Sequence, residues 1–78
     1  LSPKLPAVTA REVARVADRL GFVLHRQKGS HAVYLRKEDK ARVVIPVHAG
    51  KNIKPKTLSG IIEDMGLTAE QFRRLLQE

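Results

Sequence analysis

The chain has no cysteine and no tryptophan, one tyrosine and two phenylalanines. Without cysteine there is no disulfide to staple a small fold and no thiolate to act as nucleophile or metal ligand. With so few aromatics there is no stacking platform of the kind many single-strand RNA binders use, because Phe22 and Phe72 read as core and only Tyr34 is left. No run approaches the ~20 apolar residues needed to span a bilayer. The opening Leu1-Ser2-Pro3-Lys4-Leu5-Pro6 lacks the apolar core of a signal peptide, so a cytoplasmic protein that spans no membrane is expected. Acidic residues are scarce as well. None cluster to hold magnesium, and the three histidines, spaced by roughly five and sixteen residues, match no zinc pattern; no metal and no cofactor is expected. Neither a P-loop nor a dinucleotide fingerprint is present.

Positive charge is plentiful. Fifteen Lys and Arg oppose eight Asp and Glu, for a net charge of +7 and a pI near 10.4. The excess is uneven. Between His25 and Lys56 nine bases (Arg26, Lys28, Arg36, Lys37, Lys40, Arg42, Lys51, Lys54, Lys56) face only Glu38 and Asp39, and all three histidines fall in the same window. A clustered positive field fits a polyanion, nucleic acid first, or an acidic protein.

Seventy-eight residues make one domain. Residues 1–8 read as an N-terminal tail and 9–78 as the domain. Thr9-Ala10-Arg11-Glu12 is a capping box, and Val13, Val16, Ala17 and Leu20 follow at helical spacing before Gly21, which predicts a helix from Ala10 to Leu20. Arg11, Arg15 and Arg19 recur on its opposite side as a basic row, a candidate partner-binding surface. Phe22–Gln27, His31–Arg36 and Arg42–Ile45 read as three strands joined by Lys28-Gly29-Ser30 and Lys37–Lys40, an antiparallel meander. Pro46 ends the third strand. Pro55 then opens a helix whose apolar face is Leu58, Ile61, Ile62 and Met65, closed by Gly66. Thr68-Ala69-Glu70-Gln71 is a second capping box, starting a terminal helix that buries Phe72, Leu75 and Leu76. The fold class is α+β: α-β-β-β-α-α, a three-stranded antiparallel sheet with helices on one face.

The meander brings His31, at the start of one strand, and His48, just past the end of the next, to the same end of the sheet. Metal-free RNA cleavage needs a base for the 2′-hydroxyl, cations or N–H groups for the charge on phosphorus, and an acid for the leaving 5′-oxygen. An imidazole can serve as base or acid, each worth ~10²–10⁴-fold. His31 is the first candidate, with Lys28, Gly29 and Ser30 beside it to admit and hold a phosphate, and His48 is the candidate second proton carrier. The alternative for His31 is a strand-start residue bonded to a turn carbonyl. His25, mid-strand and without a neighbouring glycine, reads as structural. Helix N-termini bind anions through unpaired N–H groups. Lys54, at the cap of the second helix, has no side-chain acceptor, so the N–H groups of Lys56, Thr57 and Leu58 are open to a phosphate, with Lys51, Lys54 and Lys56 around them. The alternative is hydrated surface.

Gly21-Phe22, Gln27-Lys28-Gly29-Ser30-His31, Pro46-Val47-His48-Ala49-Gly50-Lys51, Lys54-Pro55-Lys56-Thr57-Leu58 and Gly66-Leu67-Thr68 together resemble the HicA toxins, also called the YcfA or HicA-like family. The resemblance runs from about Leu5 to Leu76. It implies a fold like a double-stranded RNA-binding domain and a toxin of a type II toxin–antitoxin pair that cleaves mRNA without metal. It implies that the Gly-Ser-His histidine, here His31, is catalytic, and that a HicB-like antitoxin covers the active surface. Two positions depart from the pattern: Ala32, where many members carry a second histidine, and Ala49, where glycine is common. The competing reading is a non-catalytic double-stranded RNA-binding module on the same basic surface.

Overall fold

The computed structural model describes residues 5–78; of the expected tail, residues 1–4 lie outside it. Helix α1 spans Ala10–Arg19. Thr9 caps it, accepting from the Glu12 amide while the Glu12 carboxylate accepts from the Thr9 amide at 3.0 Å. The chain leaves α1 through Gly21, whose φ of +89° is the left-handed value that a side chain resists. Three strands follow in sequence and spatial order: β1 (Val23–Lys28), β2 (His31–Arg36) and β3 (Ala41–Pro46), all antiparallel. Helices α2 (Pro55–Asp64) and α3 (Ala69–Gln77) complete the chain, and Thr68 with Gln71 forms the second capping box.

Alternation along β3 divides the sheet into two faces. Val43 and Ile45 are buried under the helices with Val13, Val16, Phe22, Leu58, Ile61 and Phe72. Phe22 and Phe72 are essentially inaccessible, and truncating either to alanine removes about 3–5 kcal/mol. Leu75 and Leu76, expected in the core, pack against it only partly buried. Val8, within the expected tail, is fully buried, and its carbonyl accepts from the Ile53 amide at 2.8 Å.

The other face is open. Register puts Lys28, His31 and Pro46 side by side in one row across it, and Arg26, Val33 and Val44 in the next. The helices pack against β3 and leave β1 exposed along its whole length. β1 is also irregular: its register slips between Leu24 and Arg26, so His25 is the extra residue of a β-bulge rather than a regular mid-strand residue.

Arg36, Arg15 and Arg19 have structural work. Arg36 grips the Asp39 carboxylate with Nε and Nη2 (3.0 and 2.9 Å), donates Nη1 to the Leu20 carbonyl at 2.9 Å, and lies 4.5 Å from the Phe22 ring centroid. Its pairing with Asp39 holds the carboxyl below its ordinary value and raises the guanidinium above its own. Arg36 therefore ties the end of α1 to the β2–β3 turn. In the α1 row, Arg15 donates to the Leu76 carbonyl at 3.1 Å, and Arg19 donates to the Glu78 carbonyl and lies 3.8 Å from its carboxylate. These contacts hold α3 against α1. Among the described residues no helix is long and apolar enough to cross a membrane.

Candidate functional site

The site grows out of one hairpin. β1 and β2 are joined by Gly29-Ser30 alone. Gly29 has φ +58° and Ser30 a negative φ, the sign pattern of a type II′ turn, which matches the twist of the flanking strands and needs glycine at its first position. This turn sets His31 as the first residue of β2, exposed, with Lys28 on one side and Pro46 on the other. Directly opposed residues hold their Cβ atoms ~4.5–5.5 Å apart, so the Lys28 ammonium is within reach of anything bound at the His31 ring.

The second loop is bound to the first. The Val47 amide donates to the Ser30 carbonyl at 2.6 Å, fastening the chain past β3 to the Gly-Ser turn. His48 comes next, and its carbonyl accepts from Lys51 at 3.0 Å, closing a tight turn over Gly50, at φ +74°. A left-handed third residue is the mark of a type II turn. Beyond it, Asn52 bridges to Thr9, and Ile53 is buried. The loop is thus pinned at both ends while the His48 side chain stays exposed.

The pinned loop delivers the chain to α2. Lys54 is the N-cap and makes no side-chain cap bond; Pro55 has no N–H to satisfy. Leu58, expected to offer a free amide, donates instead to the Lys54 carbonyl at 2.9 Å. The helix begins there, because the first intrahelical bond runs from the fourth residue to the cap. The amides of Lys56 and Thr57 are left without a protein acceptor.

A cleft of about 320 Å³ lies at this helix start, lined by Pro46, His48, Lys51, Asn52, Ile53, Lys54 and Thr57. Four expected residues, His48, Lys51, Lys54 and Thr57, therefore meet on one concavity. His31 does not line it; it borders it through its cross-strand neighbour Pro46. Lys56 is exposed on the first turn of α2, outside the cleft lining. On the other side of His48 a second concavity is lined by Thr9, Arg11 and Val47, among others. Arg11 thus belongs to the surroundings of His48, apart from the two arginines that grip α3.

Chemically, the arrangement offers two exposed imidazoles on loops joined by a hydrogen bond. Cations and two open amides lie beside one of them, and a cross-strand lysine beside the other. Such a surface can hold a phosphodiester and move protons around it. Two residues join this surface: Asn52, and Arg26, which the sequence marks only as one of the nine clustered bases. Nothing local marks Asn52, whose place depends on the bridge to Thr9. Arg26 stands two residues before Lys28, and in a strand that spacing alone puts both on the face of His31. Among the described residues no group of three or more His, Cys, Asp or Glu converges as metal ligands.

A family model described as HicA toxin of bacterial toxin-antitoxin matches residues 10–67 of the 78. No curated protein matches the chain.

Proposed function

The chain belongs to the HicA toxin family and is a toxin of a toxin–antitoxin system, and from that premise we propose that it is a metal-independent endoribonuclease that cuts mRNA. The observation that carries the reading is the Val47–Ser30 hydrogen bond, which fastens the loop of His48 to the turn that presents His31. Two proton carriers at one end of a sheet, next to an open helix N-terminus, are what phosphodiester transfer requires.

In the proposed reaction His31 takes the proton of a ribose 2′-hydroxyl. The 2′-oxygen bonds to the adjacent phosphorus, and the bond from phosphorus to the 5′-oxygen of the next nucleotide breaks. His48 gives that oxygen its proton. The products are a 2′,3′-cyclic phosphate and a free 5′-hydroxyl. Charge building on the phosphoryl oxygens is met by Lys28 across from His31, by Lys51 and Lys54, and by the Lys56 and Thr57 amides at the positive end of α2. Gly29 and Ser30 leave the backbone of the turn open to the sugar-phosphate chain. A HicB-like antitoxin would restrain the enzyme by covering this end of the sheet.

The test is purified protein on a labelled mRNA. We expect full cutting in EDTA, 2′,3′-cyclic phosphate ends, and a loss of about 10²–10⁴-fold in rate for His31→Ala with an unchanged fold. Parental cutting by His31→Ala, or a requirement for divalent metal, defeats the assignment. Tight, salt-dependent binding with RNA length unchanged would identify a double-stranded RNA-binding module instead.

A further inference from the structure

We propose that the free edge of β1 is where the antitoxin docks, by adding an extended, acidic segment of its own as a fourth strand of the sheet. The inference rests on the family membership, which supplies the partner, and not on RNA cleavage.

β1 is an edge strand, and all six of its residues are exposed. Its outward peptide groups have no partner strand, a state that proteins normally avoid by covering or blunting the edge. Apolar exposure concentrates here too. Val23 is 68% and Leu24 48% exposed, two of the three large exposed hydrophobics among the described residues. Cross-strand register puts Val23 on the open face and Leu24 on the helix face, so a partner gripping this strand meets an apolar side chain on each side.

Charge selects the occupant. β1 carries Arg26 and Lys28 and no acidic residue. A second copy pairing through the same edge would set these cations against themselves, and like charges across strands repel. The bulge at His25 further breaks the regular run such self-pairing needs. RNA answers the cations but has no use for exposed valine and leucine or for a strand's hydrogen-bonding edge. An acidic segment of another protein satisfies all three: main-chain bonds give affinity, and alternating apolar and acidic side chains give specificity. A strand added there also lies beside Lys28 and one strand from His31, so docking and obstruction of that end of the sheet are a single event.

The experiment uses the full chain and the protein encoded by the adjacent reading frame. Hydrogen exchange of the complex is expected to slow the outward-facing β1 amides by about tenfold or more relative to the free chain. The double variant Val23→Glu/Leu24→Glu, altered only at exposed positions, is expected to raise the dissociation constant about 30-fold while keeping the parental melting temperature and parental RNA cutting. Unchanged β1 exchange in the mixture overturns the proposal. So does parental affinity in the double variant, a larger loss from Arg11→Glu on α1, or protection of β1 by a short RNA instead of the partner. A chain that binds its partner through β1 yet cuts no RNA upholds this inference and removes only the nuclease reading.

Discussion

RNA affinity should fall with salt by an amount the site itself sets. Lys28, Lys51, Lys54 and Lys56 are the four lysines around the two histidine loops and the start of α2. If each neutralises one phosphate of a single strand, log K falls against log salt with a slope of about −0.7 per contact, or about −2.8 for the set. Raising salt from 50 to 200 mM then weakens binding about 50-fold. The measurement is fluorescence anisotropy of a labelled single-stranded RNA with the His31→Ala protein, which should hold its ligand uncut. Replacing Lys51, Lys54 and Lys56 together by alanine should flatten the slope to about −0.7, because only the Lys28 contact persists. All three side chains are exposed, so their loss leaves the core untouched. A parental slope shallower than about −1, or a triple variant with the parental slope, refutes the placement of the phosphates at the start of α2.

Arg36→Ala should lower the melting temperature by roughly 10 °C: the bond to the Leu20 carbonyl is worth about 1 kcal/mol and the stacking on Phe22 another 0.5–1, at several degrees per kcal/mol in a domain this small. Arg36→Lys should recover little, since an ammonium cannot serve a carboxylate, a carbonyl and a ring at once; a calorimetric melt within a degree or two of wild type for either variant would contradict this. The Asp39 carboxyl is held below its ordinary value by Arg36, so its contribution is complete above about pH 4, the unfolded value, and is lost as the pH falls through the lower folded one. Melts of Asp39→Asn should accordingly change less between pH 5 and pH 3 than those of the parent.

Most of the fold was legible because short-range chemistry decides it. Thr9 with Glu12 and Thr68 with Gln71 fix two helix starts within four residues each, Pro55 a third, and Gly21 and Gly66 close helices at positive φ. The meander followed from the connections Lys28-Gly29-Ser30 and Lys37–Lys40, although Lys28 proves to be the last residue of β1, and it carried His31 and His48 to one end of the sheet with no need for an exact register. What stayed hidden depends on groups distant in sequence. Arg15 and Arg19 read as a solvent-facing row because their acceptors, Leu76 and Glu78, lie some sixty residues away. Arg36 counted toward the basic cluster until Leu20 and Phe22 were seen to engage it. The bulge at His25 has no glycine to announce it, and the bareness of β1 is a matter of which strands the helices reach. On the site, sequence gave the residue types; it could not show that His48, rather than His31, lines the cleft at α2.

The tie between Ser30 and Val47 bears on how activity would be lost. Together with the pairing of His31 and Pro46 across β2 and β3, it couples the chain just before His48 to the turn just before His31. On the proposed mechanism, warming that frays this end of the sheet should disturb His31 and His48 together.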